Sequence, residues 1–167
     1  MSDSDYQRVD MVAEEMATYV TSLPRYSRYS ALTKGIPLSS FFSDRMLVVD
    51  VIRQGIPTSL FMSIKDMAPF SDQEWSDFLD ISLKSLQRYK KESDYVFRSI
   101  HSEKIIELVE VTAVGLEVFD SQEDFAAWLN AASHALGNRR PIELLRDSYG
   151  KELVLSELHR IDRGIFV

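Results

Sequence analysis

The sequence has 167 residues, 45% of them hydrophobic and 27% charged, and a formal net charge of −7. This is the composition of an ordinary globular protein, long enough for one or two small domains with a sizeable core. Because the chain contains no cysteine, disulfide bonds and thiolate chemistry are excluded. No apolar run approaches the roughly 20 residues that span a bilayer, and the polar first residues do not resemble a signal peptide, so we expect a cytoplasmic protein without membrane contact.

Residues 1–43 form a polar leader that is rich in serine and tyrosine. One amphipathic stretch within it places Met11, Val12, Met16 and Val20 at helical spacing, which predicts a short helix. The stretch that follows lacks periodicity and is interpreted as a loop. The leader is either flexible or packed on the body of the protein, and the sequence leaves both possibilities open.

From residue 44 onward the apolar residues recur at helical spacing, which predicts an all-α fold. The first of these helices is rich in β-branched residues that would also suit a strand. Gly55-Ile56-Pro57 is predicted to end it, with Gly55 in the left-handed cap conformation. Thr58 is predicted to cap the next helix.

Further capping signals divide the rest of the chain. Ser71-Asp72-Gln73-Glu74 is a capping box, and Ser121-Gln122-Glu123-Asp124 is a similar signal with aspartate in the fourth place. Ser82 is predicted to cap a short helix between them. Pro141 begins another short helix, and Gly150 is interpreted as a break before the last one.

Two of these helices have the spacing of a helix-turn-helix. Asp72–Leu79 and Leu83–Lys91 are separated by the three residues Asp80-Ile81-Ser82, which suits the short turn of this motif. Net negative charge argues against a protein coated in nucleic acid. The cations are segregated, however, with four between residues 84 and 91 and no acid among them. Asp80 tolerates the left-handed conformation that the turn needs better than most residues do.

The second helix carries the candidate DNA contacts. Lys84, Arg88 and Lys91 recur at i, i+4 and i+7 and share an outward face, whereas Leu83 and Leu86 are predicted to face the core. Arginine can pair with guanine and glutamine with adenine, and lysine suits phosphate. On these residues alone a solvated basic face is an equally good interpretation. The predicted DNA-binding residues are Ser82, Lys84, Ser85, Gln87, Arg88 and Lys91.

Three segments carry a resemblance to a known family. Trp75–Arg88 is similar to the Xre-like helix-turn-helix, with Asp80 where that pattern often has glycine. Ala135–Leu145 matches the element Ala-Leu-Gly-(Gly/Asn)-x-x-Pro-x-Glu-Leu-Leu. Leu158–Val167 resembles the ending Leu-x-Arg-Ile-Glu-x-Gly-Val-Phe-Ala, with Asp162 in place of glutamate. On these residues the chain resembles the Xre/MbcA/ParS-like antitoxins.

The resemblance covers about residues 44–167 and implies an Xre-like DNA-binding domain over 44–101, followed by a small helical domain for toxin binding and dimerisation over 102–167. It implies an antitoxin of a type II toxin-antitoxin system whose partner is a RES-type toxin that consumes NAD. Such an antitoxin blocks the toxin active site with its C-terminal end and represses its own operon. Because helix-turn-helix proteins usually read palindromic sites as dimers, we expect a homodimer, assembling into a hetero-oligomer with toxin. The helices over 103–119 and 124–130 are the predicted dimer face.

The C-terminal end supports a binding role on physical grounds. Its large apolar residues are costly to expose and fray unless they dock, within the fold, across a homodimer or on a partner. The resemblance implies the partner. Two alternatives remain: a stand-alone helix-turn-helix transcription regulator whose tail completes its own fold, and an interaction module without a DNA role. The predicted toxin-binding residues are Arg160, Asp162, Arg163, Gly164, Ile165, Phe166 and Val167.

Catalytic signals are missing from the sequence. None of the three histidines lies in an HExxH motif, and no P-loop, GxSxG or GxGxxG is present. No cluster of histidine and carboxylate residues has metal-ligand spacing. His159 lies beside the apolar stripe of the last helix and has no orienting partner. We therefore expect no enzymatic activity, no cofactor and no metal.

Overall fold

The computed structural model describes residues 3–26, 37–119 and 121–164. Over these residues the chain is all-α, as predicted, with a 3-10 turn at His134–Leu136 and two isolated β-bridges. Among the described helices, none is both long and apolar enough to cross a membrane. The helices are α1 Asp3–Ser22, α2 Leu38–Ser43, α3 Arg45–Gln54, α4 Thr58–Met67, α5 Asp72–Leu79, α6 Leu83–Lys91, α7 Ser99–Val118, α8 Gln122–Asn130, α9 Pro141–Leu144 and α10 Ser148–Asp162.

Helix α7 is the centre of the fold. It packs against α2, α3, α4, α5, α8 and α10, and its buried residues lie all around its circumference rather than on one stripe. Over α7 only Ser99, Ile100, Glu103 and Glu117 are exposed. The prediction that residues 103–119 form a dimer face is therefore wrong, because these side chains already fill the core of one chain. Helix α8 keeps an exposed side, and its part of that prediction stays untested.

The leader contributes a 20-residue helix that packs on the body. Val12, Met16 and Val20 of α1 are buried against α4. The Tyr19 hydroxyl donates a hydrogen bond of 2.5 Å to the Gly55 carbonyl. The N-terminal half of α1 contacts the C-terminal half of the chain, since Arg8 Nη1 donates to Gln122 Oε1 at 2.9 Å.

The connection between α3 and α4 differs from its prediction. Gly55 has φ 92° and ψ 152°, so its backbone is not the left-handed helical cap that was expected. A Cβ there would lie 2.4 Å from the Phe97 carbonyl oxygen, and this close approach requires glycine. Thr58 does not cap α4, because its hydroxyl donates to the Tyr95 carbonyl at 3.0 Å instead. Thr58 thus ties α4 to the segment that follows α6.

Gly150 also has a different role from the one predicted. It lies within the first turn of α10, where its N–H donates to the capping carboxylate of Asp147 at 2.8 Å, so it does not break the helix. A Cβ on Gly150 would lie 1.9 Å from the Leu144 carbonyl oxygen. The residue is glycine because the backbone of α9 packs directly on α10 at this point.

Candidate nucleic-acid interface and C-terminal surface

Helices α5 and α6 begin where the capping signals place them. The Ser71 hydroxyl accepts from the Glu74 N–H at 3.2 Å, and the Glu74 carboxylate accepts from the Ser71 N–H at 2.7 Å. This reciprocal pair satisfies two N–H groups that have no partner within the helix. The Ser82 hydroxyl accepts from the Ser85 N–H at 3.0 Å and starts α6 in the same manner.

The turn between these helices depends on Asp80. It adopts the left-handed conformation, with φ 51° and ψ 46°, as the helix-turn-helix interpretation requires. The Ile81 N–H then donates to the Ser76 carbonyl at 3.1 Å, which closes the turn. Helix α6 is therefore held at a defined angle after α5, in the position of a recognition helix.

The cations of α6 point outward. Lys84, Arg88 and Lys91 are exposed and share one face of the helix, as their spacing predicts. Leu86 is fully buried on the other side, but Leu83 is 40% exposed and does not face the core as predicted. Because Leu83 and Leu86 are three residues apart, their side chains point about 60° apart around the helix axis, and this places Leu83 outside the buried side.

Three polar residues predicted to bind DNA already have partners within the fold. Ser82 is exposed, but its hydroxyl caps α6 and donates to the Ser85 hydroxyl at 2.9 Å. The Gln87 side chain is half-buried, and its amide donates to the Asp72 carboxylate at 2.6 Å. The outward cations of α6 are therefore separate from its polar residues, of which Ser82 and Ser85 bond to each other and Gln87 bonds to α5.

Helix α10 carries the second predicted surface and is fixed to α7 by polar contacts. The buried Lys151 ammonium donates to the Glu110 carboxylate at 2.9 Å, and the Ser148 hydroxyl donates to Glu107 at 2.5 Å. Lys104 from α7 donates to the Leu145 carbonyl at 3.1 Å. These contacts hold the N-terminal half of α10 rigidly on the core.

The described part of the C-terminal surface lies at the end of α10. Arg160 pairs with Glu157 at 2.6 Å, whereas Asp162, Arg163 and Gly164 are exposed. The predicted contacts Ile165, Phe166 and Val167 lie outside the described residues. Exposed apolar residues on α10 were not among the predicted contacts: Tyr149 is 90% exposed and Leu153 is 55% exposed, one turn apart on the same face.

Two family models match this chain on either side of the middle of α7. Residues 48–110 match the antitoxin Xre-like helix-turn-helix domain, and residues 115–164 match the antitoxin Xre/MbcA/ParS C-terminal toxin-binding domain. Together they cover about two thirds of the sequence. The chain belongs to the Xre/MbcA/ParS-like antitoxins. The turn at Asp80 and the exposed end of α10 both fall within the matched residues.

The antitoxin is also similar to a chain in the crystal structure of the M. tuberculosis MbcT–MbcA toxin-antitoxin complex. The sequence identity is 26% and the TM-score is 0.49, over 59% of this chain and 86% of that chain. No curated protein sequence matches this antitoxin.

The guanidinium group of Arg88 lies against the aromatic ring of Tyr89. Its guanidinium carbon lies 5.1 Å from the centroid of the Tyr89 ring, and Tyr89 stacks on Tyr95 with the centroids 3.9 Å apart. The Arg88 side chain is 63% exposed and lies 3.8 Å from Glu92, a distance at which an exposed ion pair contributes little. Arg88 is therefore aimed outward and free to exchange Glu92 for another acceptor.

A single carboxylate at the start of α5 collects three donors, and the sequence patterns did not reveal it. Asp72 accepts from Gln87 at 2.6 Å and from Lys90 at 2.8 Å, both on α6, and it pairs with Lys65 on α4. The hydrogen bond from Lys65 and then that from Lys90 hold the pKa of Asp72 well below its usual range. No local signal could have indicated this convergence, because the donors are 7, 15 and 18 residues away along the chain.

The low pKa of Asp72 predicts how stability changes with pH. A carboxyl whose pKa is lower in the folded state stabilises the fold above its unfolded pKa of about 4 and loses that contribution as the pH falls through the folded value. We expect Asp72→Asn to be less stable than wild type at pH 7, with a gap that narrows steadily from about pH 5 towards pH 2. Urea unfolding of both proteins across this range measures the gap. A difference in unfolding free energy that does not change with pH would contradict the ion pairs of Asp72 with Lys65 and Lys90.

In the part of the chain that the structure describes, no group of three or more histidine or carboxylate side chains is placed to hold a metal ion. His159, considered above as a lone histidine, is exposed on α10. His101 is the buried histidine, and burial, followed by the nearby charge of Arg98, lowers its pKa. Its Nδ1 has no hydrogen-bond partner and lies within the core rather than at either surface.

Proposed function

We propose that this antitoxin neutralises a RES-type, NAD-degrading toxin by inserting its C-terminal end into the toxin active site, and that it represses its own operon by binding operator DNA through α6 as a homodimer. The observation that carries the toxin half of this proposal is the match of residues 115–164 to a toxin-binding domain, since the matched segment runs to the exposed end of α10. We further propose that toxin and antitoxin form a cytoplasmic hetero-oligomer.

The arrangement of α10 supports insertion of its end into a partner. Lys151 is only 5% exposed and fixes the start of the helix on α7, so the last turn extends from a rigid base. Asp162 and Arg163 then present one charge of each sign to solvent. In this proposal they engage the polar part of the toxin pocket, while Ile165 and Phe166 bury apolar surface on the toxin.

Deleting residues 164–167 is expected to abolish neutralisation. Burial of two large apolar side chains contributes roughly 3–6 kcal/mol, so their loss should weaken toxin binding at least about 100-fold. The measurement is growth of cells that co-express a RES-type toxin with the antitoxin, together with the Kd of the purified pair.

The truncated protein also provides its own control. Its melting temperature and DNA affinity should match those of the wild type, because α10 and α6 remain intact. Full protection of the cells by this variant would refute the tail mechanism, and would favour a stand-alone regulator whose tail completes its own fold.

The exposed face of α6 supports the DNA half of the proposal. In this proposal Lys84 and Lys91 contact phosphates, which set register and affinity, whereas the planar guanidinium of Arg88 pairs with the O6 and N7 atoms of guanine. The face carries three cations although the whole chain has a net charge of −7. Segregation of charge of this kind allows an acidic protein to bind DNA locally.

Arg88→Ala and Lys84→Ala should weaken operator binding in different ways. Loss of a bidentate base contact is expected to weaken binding to operator DNA by about 1–3 kcal/mol and to relax specificity at one base pair. Loss of a phosphate contact should reduce the slope of log K against log salt by about 0.9. Fluorescence anisotropy with DNA from upstream of the gene, at several salt concentrations, measures both effects.

Arg140→Ala is the matched control for these variants, because it removes one exposed cation that lies outside α6 and pairs with Glu143. Its affinity and salt slope should equal those of the wild type. If all four proteins bind alike, or none binds at physiological salt, the assignment of α6 as the recognition helix is wrong.

A further inference from the structure

Helix α6 has a small apolar anchor. Of its nine residues only Leu86 is buried, and Tyr89 is partly buried against the core with its ring stacked on that of Tyr95. On a helical projection Tyr89 lies about 60° from Leu86, so these two side chains hold one flank of the helix. A contact on the other flank would complete the restraint on rotation and so set the direction in which the outward cations point.

The carboxylate of Asp72 makes that contact. Gln87 and Lys90 are three residues apart on α6 and both donate to the same Asp72 oxygen, Oδ2, at 2.6 and 2.8 Å. On a helical projection they lie between buried Leu86 and the outward face that carries Arg88. Together with Tyr89, which packs on the opposite flank, these two donors on one acceptor resist rotation of the helix in either direction.

Asp72 is itself held in place from two sides. It is the first residue of α5, immediately after the capping box of Ser71, where a carboxylate also interacts favourably with the helix dipole. Its other oxygen pairs with Lys65 of α4, whose side chain is only 12% exposed. The bridge therefore connects α6 to two helices whose own positions are fixed by the core.

We propose that Asp72 is a positioning residue for DNA recognition, which sets the rotation of α6 through Gln87 and Lys90 so that Lys84, Arg88 and Lys91 face the groove. This inference rests on the proposed DNA binding. It assigns Gln87 to orientation of the helix rather than to reading of a base. It also removes Lys90 from the set of cations available to phosphate, because its charge is balanced by Asp72 within the fold.

The test compares Asp72→Asn with wild type on two DNA duplexes of equal length, one from directly upstream of the gene and one of random sequence. Asp72→Asn should reduce the ratio of the two affinities at least about tenfold, and release of Lys90 to phosphate should steepen the salt slope on random DNA by about 0.9. A residue that only stabilises the fold would weaken both complexes equally and leave both quantities unchanged.

Two further variants make the test decisive. Gln87→Ala keeps the ion pairs and should reduce the affinity ratio without a change in salt slope. Asp77→Asn removes one exposed carboxylate from the same helix without touching α6, and its ratio and slope should equal those of the wild type.

The outcomes separate this inference from the proposed function. If the wild type does not prefer its upstream DNA, the proposed DNA binding fails and the positioning role fails with it. If the wild type prefers that DNA and Asp72→Asn retains the full preference, only the positioning role is overturned, and loss of preference in Gln87→Ala alone would then assign Gln87 to reading of a base.

Discussion

Replacing Gly150 with alanine should destabilise the antitoxin by about 3 kcal/mol, at the upper end of the range for overpacking of a closed interface. Helix propensity alone predicts the opposite, because alanine within a helix is favoured over glycine by roughly 1 kcal/mol. The structure decides between these effects, since the new Cβ would lie 1.9 Å from the Leu144 carbonyl oxygen. That atom belongs to the backbone of α9, so relief requires α9 and α10 to move apart.

Gly137→Ala is the matched control for this prediction. Gly137 has φ 69°, and a Cβ there would meet nothing within 4 Å, so the substitution introduces backbone strain without a clash. Its expected effect is a loss of about 1–2 kcal/mol. Urea unfolding followed by circular dichroism ranks the two variants. A Gly150→Ala protein at least as stable as the wild type would show that α9 and α10 do not pack this closely.

Trp75→Ala should also remove much of the stability of the protein, by about 3–5 kcal/mol. The Trp75 ring is fully buried, with its centroid 5.1 Å from that of Phe61 and 5.7 Å from that of Phe70, both in edge-on contact. Few neighbours can collapse into the space of an indole, so a cavity would remain behind α5. Because α5 supports α6, the proposed DNA binding should be lost at temperatures well below the melting temperature of the wild type.

The second tryptophan provides a comparison of the same side chain. Trp128 on α8 is half-buried and lies against Phe119 and Phe125. Trp128→Ala should therefore destabilise by only about 1–2 kcal/mol, within the usual range for a partly exposed site. Circular dichroism is the suitable probe, because each variant loses one of the two tryptophans on which a fluorescence signal would depend. Equal losses for both variants would contradict the central position of Trp75.

The sequence predicted the helix-turn-helix well because its signals are local. The capping serines Ser71 and Ser82 bond to N–H groups three residues away, and Asp80 adopts the left-handed conformation from its own preference. Such chemistry is visible within four consecutive residues, and the bounds of α5 and α6 follow from it. The resemblance of the last fifty residues to a toxin-binding domain was also confirmed. Its signal is likewise local, because it is carried by runs of consecutive residues.

Predictions failed where a residue contacts another element of the fold. Thr58 was predicted to cap its own helix but bonds to Tyr95, and Gly150 was predicted to break α10 but instead allows close approach of the Leu144 carbonyl of α9. The convergence of three donors on Asp72 gave no sequence signal at all. In each case the determining contact joins parts of the chain whose proximity only the tertiary structure provides.

The continuity of α7 has a consequence for how this antitoxin can be divided. The two matched segments, 48–110 and 115–164, meet inside one uninterrupted helix, and the proposed boundary between 101 and 102 lies in its first turn. A helix of 20 residues is a rod of about 30 Å. The segments that match the helix-turn-helix domain and the toxin-binding domain thus share one continuous helix, which contacts both α5 and α10. Cutting the chain at that boundary would remove most of α7 from the N-terminal half and expose the apolar surface that packs on this helix.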